Sequence, residues 1–253
     1  MVPSQLLLSL SLLGRFQVLL EHEPVSQLRT RKDQALLAYL AVEADHAHRR
    51  EALAELFWPE RPEGVARASL RQALSEVRRA IGGEYLLTTR QTVQFNAGSD
   101  HWLDVDIYRA HWEATRRHAH RDLANCPICM GQLQQAVALY RGDFLADLVL
   151  DDSREFQEWV TLYRERFFNQ QTKALQQLTS YRRTLGDLER ARRYARQWVA
   201  LAPLSERAHR QLIALLALSD RRRAALQQYE SCRRTLVDEL GIEPGPETVT
   251  LYQ

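Results

Sequence analysis

The sequence predicts a mostly α-helical protein with small β elements, in which a mixed N-terminal part precedes an all-helical remainder. Apolar residues recur at helical spacing through most of the 253 residues. The chain contains only ten Gly and eight Pro, which favours long helices and argues against an all-β sandwich. Because the chain is longer than one ordinary domain, we expect two, covering residues 1–98 and 99–253.

The N-terminal part combines strand and helix patterns. Residues 5–28 are rich in Leu and Val and predict short strands with a turn near residues 21–23. The helical periodicity that follows predicts helices over residues 31–42, 50–57 and about 65–81. Alternating apolar residues then predict a hairpin within residues 85–95. Strands, three helices and a hairpin, in this order, are the plan of a winged helix-turn-helix domain with an N-terminal sheet.

From residue 102 onward the sequence predicts helices alone. The predicted helices cover residues 106–117, 130–141, 154–184, 188–201, 205–218 and 222–240. A shift of 34 residues places Leu178 on Leu212 and Ala191 on Ala225, with small residues where paired helices must approach closely. This period is typical of tetratricopeptide-like repeats, which stack pairs of helices.

The third predicted helix has the two faces that insertion into DNA requires. At about 100° per residue, Leu70, Leu74, Val77 and Ile81 share one face. The opposite face and its flanks carry Arg67, Arg71, Gln72, Ser75, Arg78 and Arg79. Such a helix can be anchored by its apolar side while Arg and Gln contact phosphates and base edges in a major groove. Charge pattern alone favours a solvated helix face. The position after a short second helix and before a hairpin with Arg90 at its tip favours DNA binding instead.

Five short segments carry a family resemblance. They are Lys32–Ala41 (KDQALLAYLA), Arg50–Pro59 (REALAELFWP), Arg67–Leu74 (RASLRQAL), Leu139–Leu145 (LYRGDFL) and Leu236–Pro244 (LVDELGIEP). In combination these segments resemble the Streptomyces antibiotic regulatory protein (SARP) family, and the resemblance extends over nearly the whole chain.

In the SARP family, a winged helix of the response-regulator type precedes a bacterial transcriptional activator domain of tetratricopeptide-like helices. The resemblance implies a transcriptional activator that binds double-stranded promoter DNA, usually at direct repeats, and contacts RNA polymerase. It implies DNA contacts by the recognition-helix residues Arg67, Arg71, Gln72, Ser75, Arg78 and Arg79, and by the wing residues Thr88, Thr89, Arg90 and Gln91. One position departs from the family pattern: Arg49 stands where Ser often caps the second helix, so that the capping bond is missing.

A second group of residues has the composition of a metal site. His118, His120, Cys126 and Cys129 offer two imidazoles and two thiols, the number that tetrahedral zinc requires. No open coordination position is evident, so such a zinc ion would be structural. His111 is an alternative ligand, and the nonmetal interpretation places Cys129 in the core and the histidines in solvent.

The sequence offers no motif for catalysis, secretion or membrane insertion. It contains no phosphate-binding loop, dinucleotide-binding glycine motif, nucleophile elbow or repeated acidic metal loop, so we expect no enzyme and no required cofactor. Three cysteines without a secretory signal indicate a reducing cytoplasm. The apolar run Leu6–Leu13 is too short to span a bilayer and lacks the flanks of a signal peptide.

Two functional hypotheses remain open. The first is a DNA-binding regulator whose helical remainder forms a homodimer, receives a signal or contacts RNA polymerase. The second is a tetratricopeptide-like interaction scaffold whose winged helix serves docking and has no need for an exposed Arg face on residues 65–81. Residues 251–253 resemble the start of another helix, so the chain is also compatible with the N-terminal part of a longer regulator.

Overall fold

The computed structural model describes residues 8–119 and 125–252. Contacts divide the chain into two units, the first formed by residues 1–110 and 139–167 and the second by residues 111–138 and 168–253. As predicted, helices predominate and the described strands form two small sheets. The domain boundary expected after residue 98 stays a prediction.

The bounds of the described elements follow the chain in this order. The strands are β1 (Leu8–Ser11), β2 (Gln17–Leu20), β3 (Glu23–Pro24), β4 (His48–Arg49), β5 (Leu86–Thr88), β6 (Thr92–Phe95) and β7 (His101–Leu103). The helices are α1 (Arg31–Val42), α2 (Arg50–Phe57), α3 (Glu63–Ile81), α4 (Asp104–Arg117), α5 (Pro127–Leu139), α6 (Arg154–Thr184), α7 (Leu188–Leu201), α8 (Glu206–Leu218), α9 (Arg222–Leu240) and α10 (Pro246–Tyr252). Both α4 and α6 contribute residues to the two units.

The first sheet has the strand order β3-β2-β1-β7. β1 and β2 are antiparallel, and the predicted turn after β2 lies at Glu21 and His22, which both have positive φ angles. The expectation of helices alone from residue 102 is wrong for β7, which pairs parallel to β1. A three-residue strand carries little pattern of its own, and its partner is far away in the sequence, so the sequence alone could not indicate it.

Local sequence explains where the first three helices begin. Thr30 and Asp33 form a capping box at α1, in which each side chain accepts the backbone N–H of the other residue. Arg49 precedes α2 without a capping side-chain bond, as expected. α3 begins two residues before its predicted start because Pro62 acts as its N-cap and its carbonyl accepts the N–H of Val65.

Residues 139–167 complete the core of the first unit. Phe156 is fully buried, and its ring lies 5.4 Å from that of Phe57 in α2. The indole N–H of Trp159 donates to Glu43, at the end of α1, over 2.8 Å. Buried aromatic rings remove large apolar areas from water, so α1 and α2 are held against the first half of α6.

A buried carboxylate joins β1 to the LYRGDFL segment. Asp104 accepts the backbone N–H groups of Leu12 and Leu13, each over 2.9 Å, and the guanidinium of Arg141 over 2.8 Å. Burial raises the pKa of Asp104, although these donors act in the opposite direction. Gly14 has a φ of 135°, and a Cβ there would lie 3.3 Å from the Cβ of Arg141. The positive φ and the close approach together favour glycine at this position.

The second unit contains the predicted repeat. The side chains that the 34-residue shift aligned are all buried: Leu178, Ala191, Leu212 and Ala225. Asp187 and Ser205 cap α7 and α8 by accepting backbone N–H groups of the first turn. The helix anticipated near residue 251 is α10, which begins at Pro246. Among the described residues, no helix combines the length and the apolarity needed to cross a membrane.

Candidate nucleic-acid interface

α3 has one buried face and one exposed face. Leu70, Leu74, Val77 and Ile81 are each at most 4% exposed. The residues predicted on the opposite face and its flanks are all exposed: Arg67, Arg71, Gln72, Ser75, Arg78 and Arg79. Each buried aliphatic side chain contributes about 1.5–3 kcal/mol, so the helix is firmly held while its polar face remains accessible.

The middle of the exposed face carries side-chain donors that no described residue of the protein uses. Among the described residues, the side chains of Arg71, Gln72 and Ser75 make no hydrogen bond or ion pair. Arg offers five N–H donors, and Gln offers an amide with both a donor and an acceptor. These groups match the hydrogen-bonding edges of guanine and adenine in a major groove.

Two further arginines of this face are paired with carboxylates at the surface. Arg67 lies 2.5 Å from Glu63 and 3.6 Å from Glu51, and Arg79 lies 3.0 Å from Glu76. Exposed pairs of this kind contribute only about 0–1 kcal/mol. Either guanidinium can therefore exchange its carboxylate for a phosphate at low cost.

Arg78, the remaining residue of α3 that is predicted to contact DNA, connects the helix to the wing. The guanidinium of Arg78 donates to the hydroxyl of Thr88 in β5 over 3.2 Å. Gly83 follows the end of α3, and a Cβ there would lie 3.4 Å from Arg78. The structure thus gives Arg78 and Thr88 a role in positioning the hairpin beside α3.

The turn of the wing joins β5 to β6. The hydroxyl of Thr89 accepts the backbone N–H groups of Gln91 and Thr92, which closes the turn. The Arg50 side chain donates to the carbonyl of Thr89 over 3.1 Å and thereby connects the turn to α2. Arg90 is exposed and has no hydrogen bond or ion pair within the described part of the chain. The turn is fixed by Thr89, while the guanidinium of Arg90 is available at its tip.

An open groove of about 800 Å³ runs beside α3 and was missed by the sequence analysis. Its charged lining residues outside α3 are Arg29, Arg31, Lys32, Asp33, Arg61, Asp151 and Asp152. The Lys32 ammonium is engaged by Asp152 at 2.6 Å and by the carbonyl of Phe57 at 2.7 Å. Arg29 and Arg61 precede α1 and α3 in the chain, and Arg31 is the first residue of α1, so the periodicity of the helix faces could not indicate them.

Three of the four predicted metal ligands lie together in the second unit. The Nδ1 atom of His118 lies 3.5 Å from the sulfur of Cys126 and 3.4 Å from that of Cys129. The three ligand atoms lie within 4.8 Å of one another and could hold a metal ion. His120 lies outside the described residues. The alternative ligand His111 instead contacts the side-chain oxygen of Gln132 at 2.6 Å.

The two thiols have different environments. Cys129 is fully buried, and burial raises its pKa to about 11. Cys126 directly precedes α5 and is 9% exposed. Backbone N–H groups of Cys129 and Ile128 donate to its sulfur and hold the pKa of Cys126 below its ordinary value. The burial of Cys129 agrees with the nonmetal interpretation as well as with a closed metal site.

Comparison with known proteins places the helical part in a family. Residues 103–253 match the bacterial transcriptional activator domain. The chain resembles the solved structure of Mycobacterium tuberculosis EmbR in complex with a low-affinity phosphopeptide, with a TM-score of 0.68 and 25% identity over 97% of this chain and 64% of that one.

Curated relatives are regulatory proteins of actinobacteria. The transcriptional regulatory protein EmbR of M. tuberculosis is 29% identical over 94% of this chain and 61% of its own length. The regulatory protein AfsR of Streptomyces griseus is 28% identical over 88% of this chain and 22% of its length. The chain therefore spans less than two thirds of these relatives. Together with the domain match, they show that the chain belongs to the SARP family of regulators that carry a bacterial transcriptional activator domain.

Proposed function

We propose that this chain regulates transcription by binding double-stranded promoter DNA through α3 and the β5–β6 wing. The observation that carries the proposal is the exposed row of Arg71, Gln72 and Ser75, whose donors the described part of the protein leaves unused. In this arrangement the three side chains contact base edges. The relatives' regulatory role supports the same function.

The remaining cations of the surface would bind the DNA backbone. Arg67, Arg79 and Arg90 are exposed, and contacts from such side chains to phosphates release counterions. Arg78 and Thr88 would act by holding the wing beside the helix. The side chains themselves supply this binding, so it requires neither a cofactor nor a catalytic step.

The helical part would convert DNA binding into activation. We assign contact with RNA polymerase, dimerisation or signal reception to residues 99–253, as the family resemblance implies. Direct repeats in the promoter would then recruit two copies of the chain. A regulator of this kind acts on chromosomal DNA, which places its action in the cytoplasm.

The proposal predicts that Arg71→Ala together with Arg79→Ala weakens promoter binding at least about tenfold, because each lost contact costs about 1–3 kcal/mol. Both side chains are exposed, so the fold should persist. The promoter fragments would be recovered from genomic DNA with the wild-type chain and then used in gel shifts at low salt. Helix content by circular dichroism verifies the fold.

Arg116→Ala is the matched control for this experiment. Arg116 is an exposed helical arginine that lies 3.2 Å from Glu113, much as Arg79 lies 3.0 Å from Glu76. Its removal should leave DNA affinity unchanged. Equal affinity of the double variant and the wild type would reject the assignment of α3 and favour the interaction-scaffold hypothesis.

A further inference from the structure

We propose that His118, Cys126 and Cys129 hold a structural zinc ion in the second unit. The three residues belong to the second unit and include none of the residues of the proposed DNA interface. The proposal rests on the positions of three side-chain atoms, on their chemistry and on their place between two helices.

The two nitrogen–sulfur distances match those of a tetrahedral zinc site. Zinc bonds of about 2.3 Å to sulfur and about 2.0–2.1 Å to nitrogen, at tetrahedral angles, place a ligand nitrogen about 3.5 Å from each ligand sulfur. The Nδ1 atom of His118 lies 3.5 Å and 3.4 Å from the two sulfur atoms. A single ion can therefore contact all three atoms without a rearrangement of the backbone.

The chemistry of the donors selects among metals. Two thiolates and an imidazole favour zinc over magnesium or calcium, which prefer oxygen ligands. Within the described residues, no carboxylate belongs to this group of ligand atoms. Cys126 and Cys129 are buried, which favours a structural role over a catalytic one, and the three ligands leave the fourth tetrahedral position to a further donor.

The positions of the three ligands in the chain explain what a bound ion would do. His118 directly follows α4, whereas Cys126 directly precedes α5 and Cys129 lies in its first turn. An ion bound to all three would connect the end of one helix to the beginning of the next. Zinc that binds only the folded arrangement adds its binding free energy to stability. His120, which the sequence predicts as a fourth ligand, lies outside the described residues.

Metal analysis of the complete chain tests this inference. The protein would be purified without chelator from cells grown with added zinc, and its zinc content measured by mass spectrometry. We expect about one zinc ion per wild-type chain and a loss of most of it in Cys126→Ser and in Cys129→Ser. Cys232→Ser is the matched control, because Cys232 is a buried thiol of the same unit outside the cluster, and this variant should retain its zinc.

Cobalt substitution gives a readout that does not depend on the variants folding. Wild-type protein reconstituted with Co²⁺ should show thiolate-to-cobalt charge-transfer absorption and the intense visible bands of a tetrahedral ion. Zinc far below one per chain, combined with no thiolate absorption after cobalt addition, would overturn the proposal. A Cys126–Cys129 disulfide in freshly purified, zinc-free protein would overturn it as well.

Discussion

At the scale of single residues, the structure shows why the side chains of α3 differ in what they can contribute. Within the described part of the chain, the side-chain donors of Arg71 and Gln72 are unused, whereas Arg78 is bonded to Thr88 and Arg79 is paired with Glu76. The helical periodicity correctly predicted which side chains would be exposed. It could not predict their partners, because the bond from Arg78 to Thr88 depends on how the hairpin returns to α3.

A buried histidine of the second unit is expected to make stability depend on pH. The Nδ1 atom of His209 accepts the amide of Gln228 at 2.8 Å, and its Nε2–H donates to the carbonyl of Pro203 at 2.9 Å. This bonding requires the neutral ring, and burial lowers the pKa of His209. Its contribution to stability is therefore present above the ordinary pKa of 6.5 and is lost as the pH falls through the lower folded-state pKa.

We predict that His209→Gln reduces this dependence on pH. Glutamine can donate to Pro203 and accept from Gln228 without titrating, so the variant should lose less thermal stability than the wild type between pH 7.5 and pH 5.5. Calorimetry at the two pH values measures the difference. Burial also lowers the pKa of His48, so part of the decrease in thermal stability at low pH should remain in both proteins. An equally large decrease in the variant would refute the role of His209.

At the scale of elements, patterns within one segment were predicted well, and contacts between segments were not. The bounds of α1, α2, α6, α7 and α9 coincide with the predicted ones. The two-residue strand β4 and the strand β7 were missed because each exists only through pairing with a distant strand. The groove beside α3 was missed for the same reason, since separate segments form it.

The junction of β1 with the LYRGDFL segment yields a prediction about stability. Asp104→Ala would leave the buried N–H groups of Leu12 and Leu13 without their acceptor, so we expect a loss of about 2–4 kcal/mol in the free energy of unfolding. Urea denaturation measures this change. Asp106→Ala in the same helix is the control. The one ion pair of Asp106 among the described residues is a longer, 3.7 Å contact with Arg109, so the loss should be smaller than about 1 kcal/mol. Equal losses in the two variants would contradict the account of this junction.

At the scale of the whole molecule, the sequence pattern and the known relatives indicate the same family. The order of elements and five short motifs predicted it from the sequence, and the domain match over residues 103–253 shows it independently. The first unit also explains the LYRGDFL motif, because its Arg141 contacts Asp104 and its Gly142 lies against Gly14.

The salt dependence of DNA affinity tests the central claim most directly. Each phosphate contact contributes about −0.9 to the slope of the logarithm of the association constant against the logarithm of salt concentration. If Arg79 and Arg90 bind phosphates, the wild type should show a steep negative slope, and Arg79→Ala with Arg90→Ala should make it shallower by about 2. A slope near zero in the wild type, or one that the double substitution leaves unchanged, would contradict DNA binding through this surface.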